Sequence, residues 1–240
     1  MEFSKKVYLS AAALMIGAIG FAQNNNEAFV DQVGNNHNSD IIQDNTLNDA
    51  DVKQRGSRND ASVEQANITP PGGTENDASI FQDGNRNEAS VVQAGQYAQG
   101  SLGLGSYFNE SSQRQIGDKN EASVEQQGSG HEATQIQKGD KNSADDLQKG
   151  SSQESVVRQE GDLNGSITLQ NGFGHESNVK QFGNRNDSDV FQTGGQHYSR
   201  LLQDGNSNIH TVDQSGNNNF SHVSQAGNGN MSGVTQTGSN

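Results

Sequence analysis

The chain has no cysteine and no tryptophan, and only two of its 240 residues are proline. Without cysteine, no disulfide can staple the fold. Hydrophobic residues make up 28% of the chain and the net charge is −14, a composition typical of disorder because too little apolar surface can be buried to offset chain entropy. The acidic balance also argues against nucleic acid as a partner. A stable fold therefore needs a source of stability other than disulfides or a large apolar core.

Long apolar runs are absent after the N-terminus. Lys5 and Lys6 precede an apolar run over residues 7–21, and small residues follow at a plausible cleavage site. A run of about 15 residues is short for a membrane span, so this pattern predicts a secretory signal peptide over residues 1–22. We expect the mature chain, residues 23–240, to be secreted and to contain no membrane span.

What the sequence does contain is a repeat of 11 residues, N-x-(A/S)-x-(V/I)-x-Q-x-G-x-x, present in 18 units. Its ordered residues fall at every second position, which is the period of a β-strand and not of a helix. We number them as four ladder positions: Asn, small, branched and Gln. Asn59, Ala61, Val63 and Gln65 show the pattern. The four positions are expected to share the inward face of a seven-residue strand.

Glycine follows the fourth-position glutamine by two residues in 16 units. Glycine enters left-handed backbone conformations cheaply, so we expect a tight turn with positive φ after each strand. Two units then make a 22-residue rung of strand, turn, strand and turn. The predicted turn glycines are Gly56, Gly84, Gly117, Gly139, Gly183, Gly205 and Gly227.

The predicted fold class is therefore all-β, a two-sided β-solenoid of about nine rungs with cross-β spacing. Equivalent amides would stack into ladders in which each amide donates and accepts. Such ladders explain how a chain with little apolar content can fold. The predicted ladder residues are Asn59, Gln65, Asn87, Gln93, Asn120, Gln126, Asn186, Gln192, Asn208, Gln214, Asn230 and Gln236.

Two insertions interrupt the repeat, at residues 66–75 and 94–108. Both follow even-numbered strands, so both loops are expected to leave the same edge of the solenoid. The second insertion can also be interpreted as a degenerate nineteenth strand, with Ala98, Gly100, Leu102 and Leu104 in the four ladder positions.

With the repeat defined, the chain resembles the curlins, the subunits of bacterial curli fibres, whose repeat reads S-x5-Q-x-G-x2-N-x-A-x3-Q. Gln54, Gly56, Asn59, Ala61 and Gln65 match it, and the resemblance covers nearly all of the chain after the signal peptide. Further matches are Gln82, Gly84, Asn87, Ala89 and Gln93, then Gln115, Gly117, Asn120, Ala122 and Gln126.

The resemblance implies a secreted functional amyloid at the bacterial cell surface, serving adhesion and the biofilm matrix. It implies three partners: further copies of the chain joined head to tail, a nucleator subunit, and the outer-membrane channel through which curlins are exported unfolded. The length and regularity of the repeat favour a major fibre subunit, and a surface nucleator remains the alternative.

Candidate chemical sites are few. Four histidines, His37, His131, His175 and His197, occupy the first ladder position and His210 the second, so they are interpreted as ladder substitutions and no metal site is expected. The 11 carboxylates that directly follow the first position are interpreted as a solvated outer face. The sequence shows no nucleophile with a paired base and no phosphate loop. We therefore expect no catalytic residue, no cofactor and no enzymatic activity.

Two other classes of solenoid are alternatives. A monomeric binding solenoid, such as an ice-binding protein or an adhesin stalk, would present a regular outward array, whereas the outward positions here are irregular and charged. An enzyme on a solenoid scaffold, such as a polysaccharide lyase, would need a larger three-sided rung and a catalytic cluster. The fibre subunit is preferred over both.

The ends of the repeat carry two further expectations. Neither the first unit, starting at Asn26, nor the last, starting at Asn230, resembles a cap, so open strand edges are expected to template another chain.

In the last four units the residue after the first position is Tyr198, Ile209, Phe220 or Met231, where earlier units are mostly acidic. We hypothesise that these four residues form a nucleating face, because stacked like charges restrain pairing in the acidic units; the alternative is chance surface.

Overall fold

The computed structural model describes residues 25–44, 47–67, 75–95 and 108–239. The predicted signal peptide and the alternative strand at 98–104 lie outside these ranges. The described residues form 18 β-strands: β1 (Glu27–Asn35), β2 (Asn38–Gln43), β3 (Asp49–Ser57), β4 (Asp60–Asn67), β5 (Asp77–Asn85), β6 (Glu88–Gly95), β7 (Glu110–Ile116), β8 (Glu121–Ser129), β9 (Glu132–Lys138), β10 (Ser143–Ser151), β11 (Glu154–Glu160), β12 (Gly165–Phe173), β13 (Glu176–Phe182), β14 (Asp187–Gly195), β15 (Tyr198–Asp204), β16 (Ile209–Asn217), β17 (Phe220–Ala226) and β18 (Met231–Ser239).

The strands form two parallel sheets of nine. One sheet contains the odd-numbered strands in chain order and the other the even-numbered strands; we call them the odd sheet and the even sheet. Equivalent residues align in every pair, as Gln54 aligns with Gln82 and Gly56 with Gly84. The prediction of an all-β, two-sided β-solenoid of nine rungs is confirmed. Within the described ranges, no helix is long and apolar enough to cross a membrane.

The strands begin one residue later than the seven-residue pattern predicts. In β3, for example, Asn48 precedes the strand, yet its side chain is only 1% exposed. The residue before the first position explains the difference, because it adopts a left-handed conformation, as at Leu47 (φ 62°) and Arg58 (φ 58°). The first position therefore belongs to the turn, while its side chain still points inward.

The glycines named above have φ values between 102° and 130°. Their lack of a side chain matters as much as their conformation, because successive turns stack closely. A Cβ placed on Gly161 would lie 2.1 Å from the carbonyl oxygen of Gly183 on the next rung. Only glycine fits this stack without a shift of the backbone.

Both insertions follow strands of the even sheet, β4 and β6. They therefore leave the solenoid at the same end of that sheet, as the sequence predicted. The segments 68–74 and 96–107 themselves lie outside the described residues.

The interior contains two apolar clusters. One is built on the second and third positions of units from Ile41 to Val91, and the other on those from Ala144 to Val212. The third position is polar in four units in the middle of the chain, and all four side chains are buried. These residues are Gln113, Gln135, Asp146 and Thr168.

Candidate assembly site

The glutamines at the fourth ladder position link each rung to the next along both sheets. The Nε2 of Gln65 donates to the Oε1 of Gln93 at 2.9 Å, and the same bond links all neighbouring glutamines of both sheets at 2.6–3.1 Å. All of these bonds run in one sense, from each rung to the rung that follows it in the chain. The glutamine ladders therefore have a direction.

A second bond from each fourth-position glutamine after Gln32 joins the two sheets. The Nε2 of Gln54, on the odd sheet, also donates to the backbone oxygen of Asn38 on the even sheet at 2.8 Å. Gln65 makes the reverse contact with the oxygen of Asp49. Because a carbonyl only accepts, this contact fixes which atom of the amide is nitrogen. The amides of the fourth-position glutamines are thus hydrogen-bonded along the axis and across the interior.

The first-position asparagines form a second kind of ladder. The Oδ1 of Asn164 accepts from the backbone N–H of Asn186 on the next rung at 3.0 Å. Its Nδ2 donates to the backbone oxygen of Gly183 at 2.8 Å. Each asparagine therefore anchors the turn of the neighbouring rung. In this ladder the side-chain oxygens that accept face the C-terminal end of the solenoid, whereas in the glutamine ladders the side-chain nitrogens that donate face that end.

The histidines replace asparagine in this ladder. The Nδ1 of His175 accepts from the backbone N–H of His197 at 3.2 Å, and its Nε2 donates to the oxygen of Asn171 at 3.1 Å. The two rings stack with centroids 4.9 Å apart. Burial lowers the pKa of His175, and it lowers the pKa of His131 to about 4. Within the described residues, no group of three or more His, Cys, Asp or Glu could hold a metal ion.

The predicted ladder residues lie in the interior. The last rung is the exception, because Asn230 and Gln236 are only half-buried there. The others are at most 1% exposed: Asn59, Gln65, Asn87, Gln93, Asn120, Gln126, Asn186, Gln192, Asn208 and Gln214.

The carboxylates that follow the first position point outward. They are divided unequally between the two sheets. Seven of them are consecutive on the odd sheet. Burial, followed by the charges of Asp77 and Glu27, raises the pKa of Asp49, and burial followed by Glu110 raises that of Asp77. The seven, which we call the acidic column, are Glu27, Asp49, Asp77, Glu110, Glu132, Glu154 and Glu176.

The four residues of the hypothesised nucleating face do not share a face. Tyr198 and Phe220 extend the acidic column of the odd sheet, with their rings stacked at a centroid distance of 5.0 Å. Ile209 and Met231 pair on the even sheet, on the opposite side of the solenoid. Phe220 is 61% and Met231 78% exposed. Both faces of the C-terminal rungs are thus apolar at this position.

Sequence reasoning missed a third ladder, on the turns. The Oδ1 of Asp140 accepts from the backbone N–H of Asp118 at 2.9 Å, and the pattern continues through Asp162. A spacing of 22 residues between Asp or Asn side chains is the signal that could have revealed it. Its members are Asn85, Asp118, Asp140, Asp162, Asn184, Asn206 and Asn228, and the first step is longer because of the insertion at residues 94–108.

The end strands keep one edge unpaired within the described residues. β1 pairs only with β3 and β2 only with β4, while β17 pairs only with β15 and β18 only with β16. Their inward side chains are correspondingly less buried. Val30 in β1 is half-buried, whereas Val52, one rung further in, is fully buried. The end rungs therefore expose the same backbone groups and ladder residues that interior rungs use to pair.

The fold and its ladders define a parallel, two-sheet β-solenoid whose end strands have one unpaired edge among the residues that the structure describes. Three segments match the family model of the curlin associated repeat: residues 73–98, 183–214 and 210–238. The chain therefore carries curlin repeats, and the resemblance to the curlins is confirmed. Among curated proteins, none matches the chain.

Proposed function

We propose that the chain is a secreted, non-enzymatic structural subunit that joins head to tail into a curli-type amyloid fibre at the cell surface. The fibre would serve adhesion and the biofilm matrix, with a nucleator subunit and an outer-membrane export channel as partners. The observation that carries the proposal is the match between the two ends of the solenoid.

The ladder residues of the two ends match in register. Addition of a second copy would pair its β1 with β17 and its β2 with β18. On the odd sheet Ser221, Val223 and Gln225 would meet Ala28, Val30 and Gln32. These are the same combinations of small, branched and amide side chains that stack in the interior. The junction would therefore bury the half-buried Val30 and Val223.

The direction of the glutamine ladders makes the two ends complementary. At the C-terminal end the Nε2 of Gln225 donates to the hydroxyl of Ser232 at 3.1 Å, where interior glutamines donate to the next glutamine. The Oε1 of Gln32, in the first unit, is the equivalent acceptor of a following copy. The asparagine ladder matches in the opposite sense, because Asn208 accepts from the N–H of Asn230 and Asn230 would accept from the next rung. Such a heterologous contact does not close, so it generates a fibre.

The unpaired edges of the end strands also favour head-to-tail assembly. Unpaired backbone N–H and C=O groups template a further strand, and solenoids that stay monomeric need covering end units. A monomeric binding solenoid, the alternative, has less support. The outward positions of the strands carry mixed charged, polar and apolar side chains rather than one regular array.

The proposal is tested by incubating the purified mature chain at micromolar concentration and neutral pH. We expect thioflavin-positive fibrils that give a reflection near 4.8 Å. The variant Val30→Lys places a charge at the junction, where the monomer tolerates it but the fibre would bury it. It should assemble far more slowly than the matched control Phe29→Lys, whose side chain points outward in the same strand. Equal rates for the two variants would contradict the head-to-tail junction.

A further inference from the structure

The outer face of the odd sheet carries two charged columns of opposite sign. The acidic column, defined above, lies on one side. On the other side, the residue before each fourth-position glutamine forms what we call the basic column. Its basic members are Lys53, Arg114, Arg158 and Lys180, and its one acidic member is Asp31 in the first strand. In each strand a basic-column residue stands four positions after an acidic-column residue, on the same face.

Between these columns runs a middle column of mostly small residues. Ser79, Ser112, Thr134, Val156 and Asn178 occupy it in five consecutive strands. A central stripe of small side chains lets a second flat surface approach closely, as in paired cross-β sheets. The odd sheet therefore has the features of a docking surface: small side chains along its middle and charged side chains on both sides of them.

We propose that the odd sheet is an interface for the odd sheet of a second copy, related by a two-fold axis parallel to the solenoid axis. This rotation reverses the order of the columns and leaves the rung level unchanged. The acidic column of each copy then faces the basic column of the other, and the middle columns face each other. The contact is isologous, so every pair occurs twice.

The pairing can be followed rung by rung. A residue of the acidic column faces the basic-column residue four positions later in the second copy. Glu110 faces Arg114, Glu154 faces Arg158, and Glu132 faces the apolar Ile136. Two further opposite-charge pairs, Asp49 with Lys53 and Glu176 with Lys180, arise in the same way. Against them stand one like-charged pair of the first strand, Glu27 with Asp31, and the self-facing Asp51 and Arg200 of the middle column.

The even sheet lacks this charge complementarity, which is why we assign the interface to the odd sheet. The same rotation applied to it sets Asp60 against Glu64 and Glu121 against Glu125. None of the outward strand residues at the corresponding columns of the described even sheet is lysine or arginine. Pairing through the even sheet would therefore set like charges against each other with no compensating opposite-charge contact. We infer that the even sheets face solvent when the odd sheets are paired.

Contacts within one copy already hold the basic side chains over the face. The guanidinium of Arg114 lies 5.5 Å from the ring centre of Phe81, and that of Arg158 lies 5.6 Å from Phe182. Nine strands about 4.8 Å apart, each crossed over about 20 Å, present on the order of 800 Å² per copy, the size of a standard protein interface. Burial, and after it the charges of neighbouring carboxylates, raises the pKa values of Asp49 and Asp77 in the single copy, and a facing basic column would favour their charged forms.

The inference rests on the proposed fibre, and its test separates the two. Mass per length of the fibres, measured by scanning transmission electron microscopy, should correspond to two chains for each nine-rung length. The variant Glu110→Lys with Glu154→Lys sets like charges against Arg114 and Arg158 and should halve this value. The control Glu88→Lys with Glu121→Lys makes the same change of charge at the same position of the even sheet and should leave it unchanged.

A charge swap completes the test. Adding Arg114→Glu and Arg158→Glu to the first variant restores opposite charges across the interface and should restore two chains per length. Wild-type fibres with one chain per length, or equal values for the odd-sheet and even-sheet variants, would overturn the lateral interface while leaving head-to-tail assembly intact. Absence of fibres from the wild-type chain would instead overturn the proposed function.

Discussion

The side-chain amide of Gln203 donates to the Oε1 of Gln225 at 2.9 Å and to the backbone oxygen of Asp187, on the other sheet, at 3.0 Å. One buried side chain thus holds together two rungs and two sheets. No apolar side chain could supply both contacts, and this accounts for the glutamine in every unit.

Replacing Gln203 and Gln225 by Ala should slow fibre formation strongly. Each substitution leaves neighbouring amide and carbonyl groups without partners, at a cost of about 1–3 kcal/mol per group. Replacing the outward Glu88 and Glu121 by Ala should change the rate little. Thioflavin kinetics on the two double variants provide the comparison, and similar rates would mean that the ladders do not hold the rungs together.

The buried Asp146 makes the fold sensitive to pH. It lies at a third position of β10 between Val124 and Thr168, and it is 3% exposed. Burial raises its pKa to about 7, against a smaller lowering by the hydroxyl of Ser155. No other titratable side chain occupies an inward position within strands β8 to β12. Folding therefore favours the protonated carboxyl.

Because the pKa of Asp146 in the folded state lies above its unfolded value, the contribution of Asp146 to stability is greatest at low pH and falls as pH rises from about 4 to about 7. The full loss is on the order of 4 kcal/mol. Asp146→Asn should remove this part of the pH dependence, raising stability at pH 7.5 relative to wild type but not at pH 4. Denaturant midpoints at both pH values measure it, with the outward Asp213→Asn as the control. A stability difference between wild type and the Asp146→Asn variant that does not change with pH would contradict a buried, proton-linked carboxyl.

The close stacking of turns should make the glycines two residues after the fourth-position glutamines irreplaceable. Gly161→Ala combines a φ of 114° with a Cβ only 2.1 Å from the oxygen of Gly183, so it should prevent stable assembly. Gly233→Ala meets no atom closer than 3.9 Å and should assemble nearly as wild type. Circular dichroism and fibre yield measure both outcomes. Comparable loss in the two variants would show that the effect is loss of glycine flexibility and not the close stacking of turns.

The C-terminal rungs are expected to nucleate assembly. Tyr198→Glu with Phe220→Glu removes the stacked ring pair and extends the acidic column to the end of the sheet, so the lag before fibre growth should lengthen several-fold. Ser112→Glu with Thr134→Glu adds the same charge to neighbouring positions in the middle of the same face and should lengthen the lag less. An equal lag for both variants would place the nucleus elsewhere.

The strand and turn pattern could be predicted from sequence because its cause is local. Asn59, Ala61, Val63 and Gln65 alternate in a way that only an inward-facing strand explains. The direction of the glutamine ladders could not be predicted, because it depends on a contact with the opposite sheet. In the sequence, the acidic residues after the first ladder position form a single series. Only the fold shows that they make a continuous column on the odd sheet and an interrupted one on the even sheet.

The second left-handed position of each turn also escaped prediction. It is occupied by residues as different as Arg58, Leu163 and Gln196, so residue type carries no consistent signal. The stack of turns imposes this conformation through bonds such as that from the N–H of Arg185 to the oxygen of Asp162 at 2.9 Å. Tertiary context overrides local preference at this position.

The central claim is that chains join head to tail with β17 of one copy paired in register with β1 of the next. The chain has no cysteine, so a variant with Asp31→Cys and Ser224→Cys reports on this junction alone. In register the two residues stand on neighbouring strands about 4.8 Å apart, within reach of a short bifunctional thiol reagent. Fibres of this variant should yield a ladder of covalent multimers on denaturing gels, whereas fibres with Ile42→Cys and Ser224→Cys, on opposite sheets, should yield none. Absence of multimers from the first variant, or equal multimers from both, would contradict the account.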